Sequence, residues 1–321
     1  MDKLLILTML CLQKVSRKTI VKISKSFDLK NSSIDNLKQI LIESKNFKIT
    51  IPNFSDEDLK TAKDKAASII SKSKELRIGI LTMLDDRFPR RLKEISDPPV
   101  IIFYKGNLEC LFEEKSVAII GTRKPTALGV EIAQKLGADF GENGYVVVSG
   151  LAKGCDELAH KGCVDKNGRS IAILPGGLDK VYPASNKWLA ESILEKDGLL
   201  LSEYPIGEKP FKNKFVERDR LQSALSQCVI VVETGVIGGT MHTVGFAQEQ
   251  NKILVCYKHP PKYQNEKQTL GNQKLIKLNK AFGIYTKNDI LRVKNEISKK
   301  INKNKEDNKY KEEVVIQERF I

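Results

Sequence analysis

The stretch Phe215-Val216-Glu217-Arg218-Asp219-Arg220-Leu221-Gln222-Ser223 sets an aromatic ring and two guanidiniums just before the apolar run CVIVVE. An aromatic face can stack a nucleobase, and arginine holds phosphate oxygens through paired N–H donors. A solvated helix surface can carry the same charges, so this stretch alone leaves both readings open. Asp219 opposes anion binding unless it orients the arginines on either side. Four glycine-bearing turns add to the pattern. VAII leads into Gly121-Thr122-Arg123-Lys124-Pro125-Thr126, and YVVVS into Ser149-Gly150-Leu151-Ala152-Lys153-Gly154. SIAIL leads into Pro175-Gly176-Gly177, and CVIVVE into a turn ending Gly238-Gly239-Thr240. Backbone N–H groups of such turns, with a helix dipole behind them, favour an anion. The chain has neither G-x-x-x-x-G-K-[ST] nor G-x-G-x-x-G, so a Walker A loop is excluded and a dinucleotide is not indicated. One nucleotide needs one or two such turns; a polynucleotide backbone can use a row of them.

Catalytic chemistry is harder to assemble. His160, His242 and His259 have no matching nucleophile and orienting group, and Asp156 and His160, four apart, fit a local hydrogen bond. Glu203 and Glu233 at strand ends are the best acid/base candidates, but carboxylates so placed also hold turns and arginines. Six cysteines at 11, 110, 155, 163, 228 and 256 form no C-x-x-C pair, and with three histidines a zinc site is not expected. Reduced cysteines scattered through apolar runs fit a cytoplasmic location. No cofactor is indicated.

These residues need a scaffold. The chain has 321 residues, 41% hydrophobic and 29% charged, enough for a large domain plus a small one. A formal net charge of +14 suits a polyanionic partner, although a Lys-, Asn- and Ile-rich chain can owe its charge to genome composition. The opening MDKLLILTMLCLQK has a short apolar run and no small-residue cleavage site, so it reads as a packed helix. No other run approaches a membrane span.

Residues 1–75 read as helical, with Leu4, Leu5, Thr8, Leu12 and Val15 at helical spacing and Ser55 as the cap of a helix running to about Ser73. Residues 76–110 connect this helical (SAM or helix-hairpin-helix-like) domain to the rest through an edge strand, VIIFY. From Ser116 short apolar strands at 117–120, 145–149, 170–174, 199–202, 228–233 and 253–257 alternate with helices near 127–143, 151–164, 185–196, 217–226 and 239–250. Such alternation predicts an α/β fold, a doubly wound and mostly parallel sheet, over 111–290. Its ligands bind at the C-terminal edge of the strands. QKLIKLNKAFGIYT reads as a last helix and strand, and 291–321 as a charged tail, disordered or frayed, whose end VVIQERFI regains apolar character.

The stretches DRFPRRLKEISDPPVIIFYKGN, VAIIGTRKPTALG, VVVSGLAKGCDELAH, IAILPGGLDKVYPASN, GLLLSEYPIGEKPFKNKFVERDRLQSALS and VIVVETGVIGGTMHTV together resemble the bacterial DNA-processing protein A family, also called Smf. They come in the family's order and span roughly 85–260. The resemblance implies an extended Rossmann-like domain that binds single-stranded DNA, protects strands in natural transformation, helps load the RecA recombinase and dimerises. By motif position the DNA contacts would be Gly121, Thr122, Arg123, Lys212, Phe215, Arg218, Arg220, Gly239 and Thr240. The turns add Lys124, Ser149 and Gly150. The chain departs from the family where Arg-Asn-Arg becomes Arg218-Asp219-Arg220 and where Ser-Gly-Ser/Thr becomes Gly238-Gly239-Thr240. The family's glycine-rich N-terminal hairpin survives only as Lys14-Val15-Ser16, and no room is expected for the winged helix that ends some members.

Three functional readings follow. The leading one is a non-enzymatic single-stranded DNA-binding protein, serving transformation, recombination or DNA defence. With Arg123, Lys212, Arg218 and Arg220 neutralising about four phosphates, its affinity should fall roughly fifty-fold between 50 and 200 mM salt. The alternative is a nucleotide enzyme or sensor of the related type that hydrolyses nucleoside monophosphates, with Glu203 or Glu233 as the acid. That family gathers its glycines and glutamate in one run, whereas here they are split. A scaffold that binds RecA or another partner through its helical ends is a third reading.

Overall fold

The computed structural model describes residues 2–319, with side chains described within 3–307. Four helices open the chain: α1 (Asp2–Cys11), α2 (Arg17–Ser26), α3 (Leu37–Glu43) and α4 (Asp56–Glu75). The spacing that joined Leu4 to Val15 in one helix is broken after Cys11; Leu12 and Val15 stay buried in the turn that follows, where Lys14 has φ 63°. Ser16 then caps α2 by accepting from the Thr19 N–H. Ser55 caps α4 in a reciprocal capping box with Asp58.

A nine-stranded sheet follows. Its strands are β1 (Gly79–Thr82), β2 (Ile101–Gly106), β3 (Ser116–Ile120), β4 (Val146–Ser149), β5 (Ser170–Leu174), β6 (Leu199–Ser202), β7 (Cys228–Val231), β8 (Ile253–Tyr257) and β9 (Phe282–Ile284). The order is β1-β2-β6-β5-β4-β3-β7-β8-β9; β2 pairs antiparallel with β1 and β6, and all other pairings are parallel. The doubly wound α/β class expected from the strand-helix alternation is present. Strands β3 to β7 are buried along their whole length, as their unbroken apolar runs require, while β9 at the edge exposes Phe282.

Helices cover each face. On one, α6 (Ala127–Glu142), α7 (Cys155–Asp165) and α12 (Lys287–Arg319) pack Phe140, Cys163 and Ile297 against Val117, Val147 and Ile230. On the other, α5 (Arg90–Lys93), α9 (Lys212–Ala224), α10 (Thr240–Glu249) and α11 (Leu270–Lys277) bring Leu92, Leu221, Val244 and Leu275 onto Ala118, Val148 and Val229. A third cluster joins the N-terminal helices and α8 (Lys187–Glu195) to Ile101, Phe103, Ala172 and Leu200.

Three segments depart from the sequence reading. Helix α9 begins at Lys212, five residues before the expected 217, so Phe215 rides inside the helix. KNKFVE has no apolar period to announce a helix; Lys214 secures its start by donating to Glu208 and to the Lys209 carbonyl. Helix α7 starts at Cys155 and not at 151, because Leu151 and Gly154 take positive φ of 55° and 85°. The segment from 291, expected as a charged tail, continues α12, which buries Val293, Ile297 and Ile301 in the core. Side chains of VVIQERFI lie outside the described residues.

Candidate nucleic-acid interface

From β3 the sheet grows one way through β4, β5 and β6, then resumes on the other side with β7. The turns after β3 and β7 therefore diverge toward opposite faces, and a crevice opens between them at the strands' C-terminal ends. The crevice holds about 410 Å³ and is lined by Gly121, Thr122, Arg123, Phe215, Arg218, Asp219, Gly239 and Thr240 among others. Six of those expected DNA contacts from the β3 turn, α9 and the β7 turn thus meet at one place, and Arg218 forms part of the same wall.

Arg123 is exposed, and its guanidinium lies 5.1 Å from the centroid of the Phe215 ring. Arg218 lies deeper, 4% exposed. Its Nη1 is 3.9 Å from Asp156 Oδ2, and its Nε is 3.3 Å from Asp219 Oδ1 but finds no directed hydrogen bond. With its amide oxygen turned inward, Gln222 accepts from this guanidinium and from the Gly150 N–H. Gly150 owes its identity to that guanidinium: a Cβ there would stand 1.3 Å from Arg218 Nη1. The Gly150 N–H also donates to Asp156 Oδ2 at 3.1 Å. One buried cation thus faces two carboxylates. Burial pushes the Asp219 carboxyl up to about 7, against the pull of Arg218 and with the push of Asp156. Burial raises Asp156 as well, with Arg218 opposing.

Arg220 is not on this wall. Two helical positions turn a side chain by about 200°, so consecutive arginines at i and i+2 point to opposite sides. Arg220 is 2% exposed; it donates to the Asp97 carbonyl at 2.7 Å, the Glu217 carbonyl at 2.6 Å and Glu203 Oε1 at 2.7 Å. Arg17 of α2 joins the same cluster, donating to Asp97 Oδ1 at 3.0 Å and Glu217 Oε2 at 2.8 Å. Each nitrogen of the buried Arg220 guanidinium thus donates to a neighbour within the protein, and at 2% exposure the group does not face a phosphate path.

The row of glycine turns also resolves into open and closed ones. Ser149 is buried with its hydroxyl donating to the Ile119 carbonyl at 2.7 Å. Gly176 and Gly177 are buried against the β6 loop, and the Gly177 N–H donates to the Glu208 carbonyl at 2.9 Å. The turns at 121–124 and 235–240 remain open. Even so, the first offers no free helix end. The Glu233 carboxylate accepts from the Thr126 N–H at 2.8 Å and the Thr126 hydroxyl at 2.6 Å, and so occupies the N-terminus of α6. Gly129 leaves room for it, since a Cβ would approach Glu233 Cδ to 2.4 Å. In contrast α10 starts at Thr240 after an N-cap glycine, Gly239, that supplies no side-chain cap, and no atom would come within 4 Å of a Cβ at Gly238 or Gly239. The anion site expected at α6 is better offered by α10.

Both acid/base candidates are thus engaged, Glu203 by Arg220 and Glu233 by the Thr126 cap. His160 is fully buried against Ser170 at 2.6 Å, and burial, then Arg218, pushes its pKa down to about 3. All six cysteines are free, and no group of three or more His, Cys, Asp or Glu that could hold a metal occurs among the described residues. No helix among the described residues is long and apolar enough to cross a membrane. Lys124 and Lys212 are exposed outside the crevice. The sequence reading missed Gln222, although its i+4 spacing from Arg218 was the signal, and it missed the contact of Tyr182 with Phe215.

Fold and crevice together define an extended doubly wound α/β protein with an arginine-bearing, aromatic-edged cleft at its topological switch point. Residues 79–295 match the family of the DNA recombination-mediator protein A, and the chain belongs to that family. It is 40% identical over 187 residues to the Smf protein of Synechocystis, which covers 57% of this chain and 47% of that one. It is 36% identical over 188 residues to the DNA processing protein DprA of Bacillus subtilis, covering 59% of this chain and 63% of that one. For the Streptococcus pneumoniae protein, identity is 42% over 171 residues, 53% of this chain and 60% of the relative. The chain therefore spans from about half to under two thirds of these relatives' lengths. The solved structure of the Streptococcus pneumoniae protein superposes with a TM-score of 0.65 at 28% identity, covering 87% of this chain and 98% of that one. That of DNA processing protein A from Helicobacter pylori, described for its single-stranded DNA binding mode, gives 0.59 at 29% identity over 72% and 97%.

Proposed function

We propose that this chain binds single-stranded DNA across the β3–β7 crevice as a recombination mediator, without covalent chemistry of its own. One observation carries the reading: Arg123 covers Phe215 at the mouth of a crevice that has Arg218 in its wall and the uncapped start of α10 opposite. Phosphates sit on Arg123, Arg218 and the Gly239–Thr240 turn, while a base replaces the Arg123 guanidinium on the Phe215 ring. Lys212 and Lys124 extend the cationic approach. Glu203 and Glu233 hold structure, which favours binding over nucleotide hydrolysis. As in the family, the bound strand passes to the RecA recombinase, the protein works as a homodimer, and it acts in the cytoplasm. Residues 1–75 form a bracing domain for α9 through Arg17, and 111–290 form the DNA-binding domain.

The test is a titration of labelled single- and double-stranded oligonucleotides at several salt concentrations. With Arg220 removed from the phosphate path, three cations remain, and affinity for the single strand should fall roughly twenty-fold between 50 and 200 mM salt at a slope of about −0.7 per phosphate. A flat salt response, or unchanged binding by the Arg123→Ala and Phe215→Ala variants, overturns the reading.

A further inference from the structure

We propose that Tyr182 is a second nucleobase platform, extending the DNA track from the β3–β7 crevice toward the end of β5. The inference rests on the single-stranded DNA reading and goes beyond the residues assigned to it. Phe215 is only half-buried, and Arg123 takes one side of its ring. On another side stands Tyr182, with ring centroids 5.6 Å apart and planes at 69°. Tyr182 is 44% exposed, whereas Leu178, four residues earlier, is buried. A packing tyrosine buries its faces and finds its hydroxyl a partner. This one leaves much of its surface in water beside the crevice.

The loop beneath it is fixed. Asp179 Oδ1 accepts from the Gly207 N–H at 2.9 Å, and the Asn186 amide donates to the Leu151 carbonyl at 3.0 Å. Val181 packs against the cluster of the N-terminal helices, and Asn186 is 1% exposed. Both sides of the loop are therefore tied to neighbouring turns, so the ring is presented by a preorganised backbone. Exposed Lys180, two residues before it, supplies a cation for the phosphate that follows. Rings at 69° cannot both stack on one flat base, so each takes its own, and the strand turns between consecutive bases. The path then reads Gly239 and Thr240, Arg123, Phe215, Tyr182, across three strand ends. Stacking of this kind is indifferent to base identity, since every base has a π-face.

The experiment titrates a labelled single-stranded oligonucleotide with the full chain and its Tyr182→Ala, Tyr182→Phe, Phe215→Ala and Phe215→Ala/Tyr182→Ala variants. Tyr182→Ala should bind roughly five-fold to a hundredfold more weakly, the range for one stacked base. Tyr182→Phe should stay close to the unaltered protein, and the salt slope should not change, because no phosphate contact is lost. A tyrosine that merely supports Phe215 would cost nothing further once Phe215 is gone; a second platform makes the double variant weaker than Phe215→Ala alone. Unchanged binding by Tyr182→Ala, or a double variant no weaker than Phe215→Ala, overturns the proposal while leaving the crevice reading intact. If the unaltered protein itself fails to bind, the single-stranded DNA reading fails first. An oligonucleotide with abasic sites should abolish the difference between Tyr182→Ala and the unaltered protein.

Discussion

Asp219→Asn isolates the carboxylate that stands beside Arg218 in the crevice. The carboxylate stands 3.3 Å from Arg218 Nε without a directed hydrogen bond, while Gly150, Gln222 and Asp156 hold the other side of the guanidinium. Asp219 therefore contributes charge more than orientation, and asparagine keeps its shape without the charge. A phosphate taken by the far edge of Arg218 would lie about 7 Å from that carboxylate, a repulsion of about 2.4 kcal/mol at an effective permittivity of about 20. With the Asp219 carboxyl titrating at about 7, half of that acts at neutral pH. Screening leaves about 1 kcal/mol, or about five-fold tighter binding by Asp219→Asn. The sign with pH follows. Raising pH through about 7 ionises Asp219 beside Arg218, so the unaltered protein should bind more weakly at pH 8 than at pH 6, and the variant should show little of that change. Stability should follow the same group: its carboxyl keeps a proton in the folded form well above the ordinary carboxylate pKa of about 4, so stability falls as pH rises from about 4 to about 7. Fluorescence anisotropy across pH 6–8, with thermal melts in parallel, reads both. Weaker binding by Asp219→Asn, or an unchanged pH profile, would refute the reasoning and make Asp219 an orienting group.

Two other substitutions separate building from binding. Gly150→Ala forces a methyl group to within 1.3 Å of Arg218 Nη1, so it should lower DNA affinity at least ten-fold and also lower the melting temperature. The two arginines assigned by sequence to the same role should part company. Arg220→Ala removes the 2.7 Å partner of buried Glu203 and leaves it only Arg17 at 3.9 Å, with an expected loss of about 3 kcal/mol in denaturant unfolding and no change in salt slope where the variant remains folded. Arg123→Ala, at an exposed site, should leave stability within about 0.5 kcal/mol and flatten the salt slope by about 0.7.

Much of the fold was legible because burial on both faces writes itself into the sequence. VAII, SIAIL and ILVCY are unbroken apolar runs, and the glycine turns mark where each strand gives way to a helix. Ser55 announced its helix through a cap, which is a local hydrogen bond. The start of α9 was not legible, since KNKFVE is held by Glu208 and the Lys209 carbonyl and has no apolar stripe to show.

The site divides along the same line. Residue type by itself pointed to an aromatic, several cations and a row of glycine turns at one sheet edge. Which of them face the crevice is a long-range matter. Arg218 and Arg220 are chemically equal in the sequence. They differ because the helix turns one toward Gly150 and the other toward Glu203, residues far from both along the chain. Likewise the N-terminus of α6 looked open until Glu233, brought over by the neighbouring strand β7, filled it. Local propensity and burial pattern can be read in one dimension. The identity of the group that neutralises a buried charge cannot, because that group arrives only when the sheet assembles.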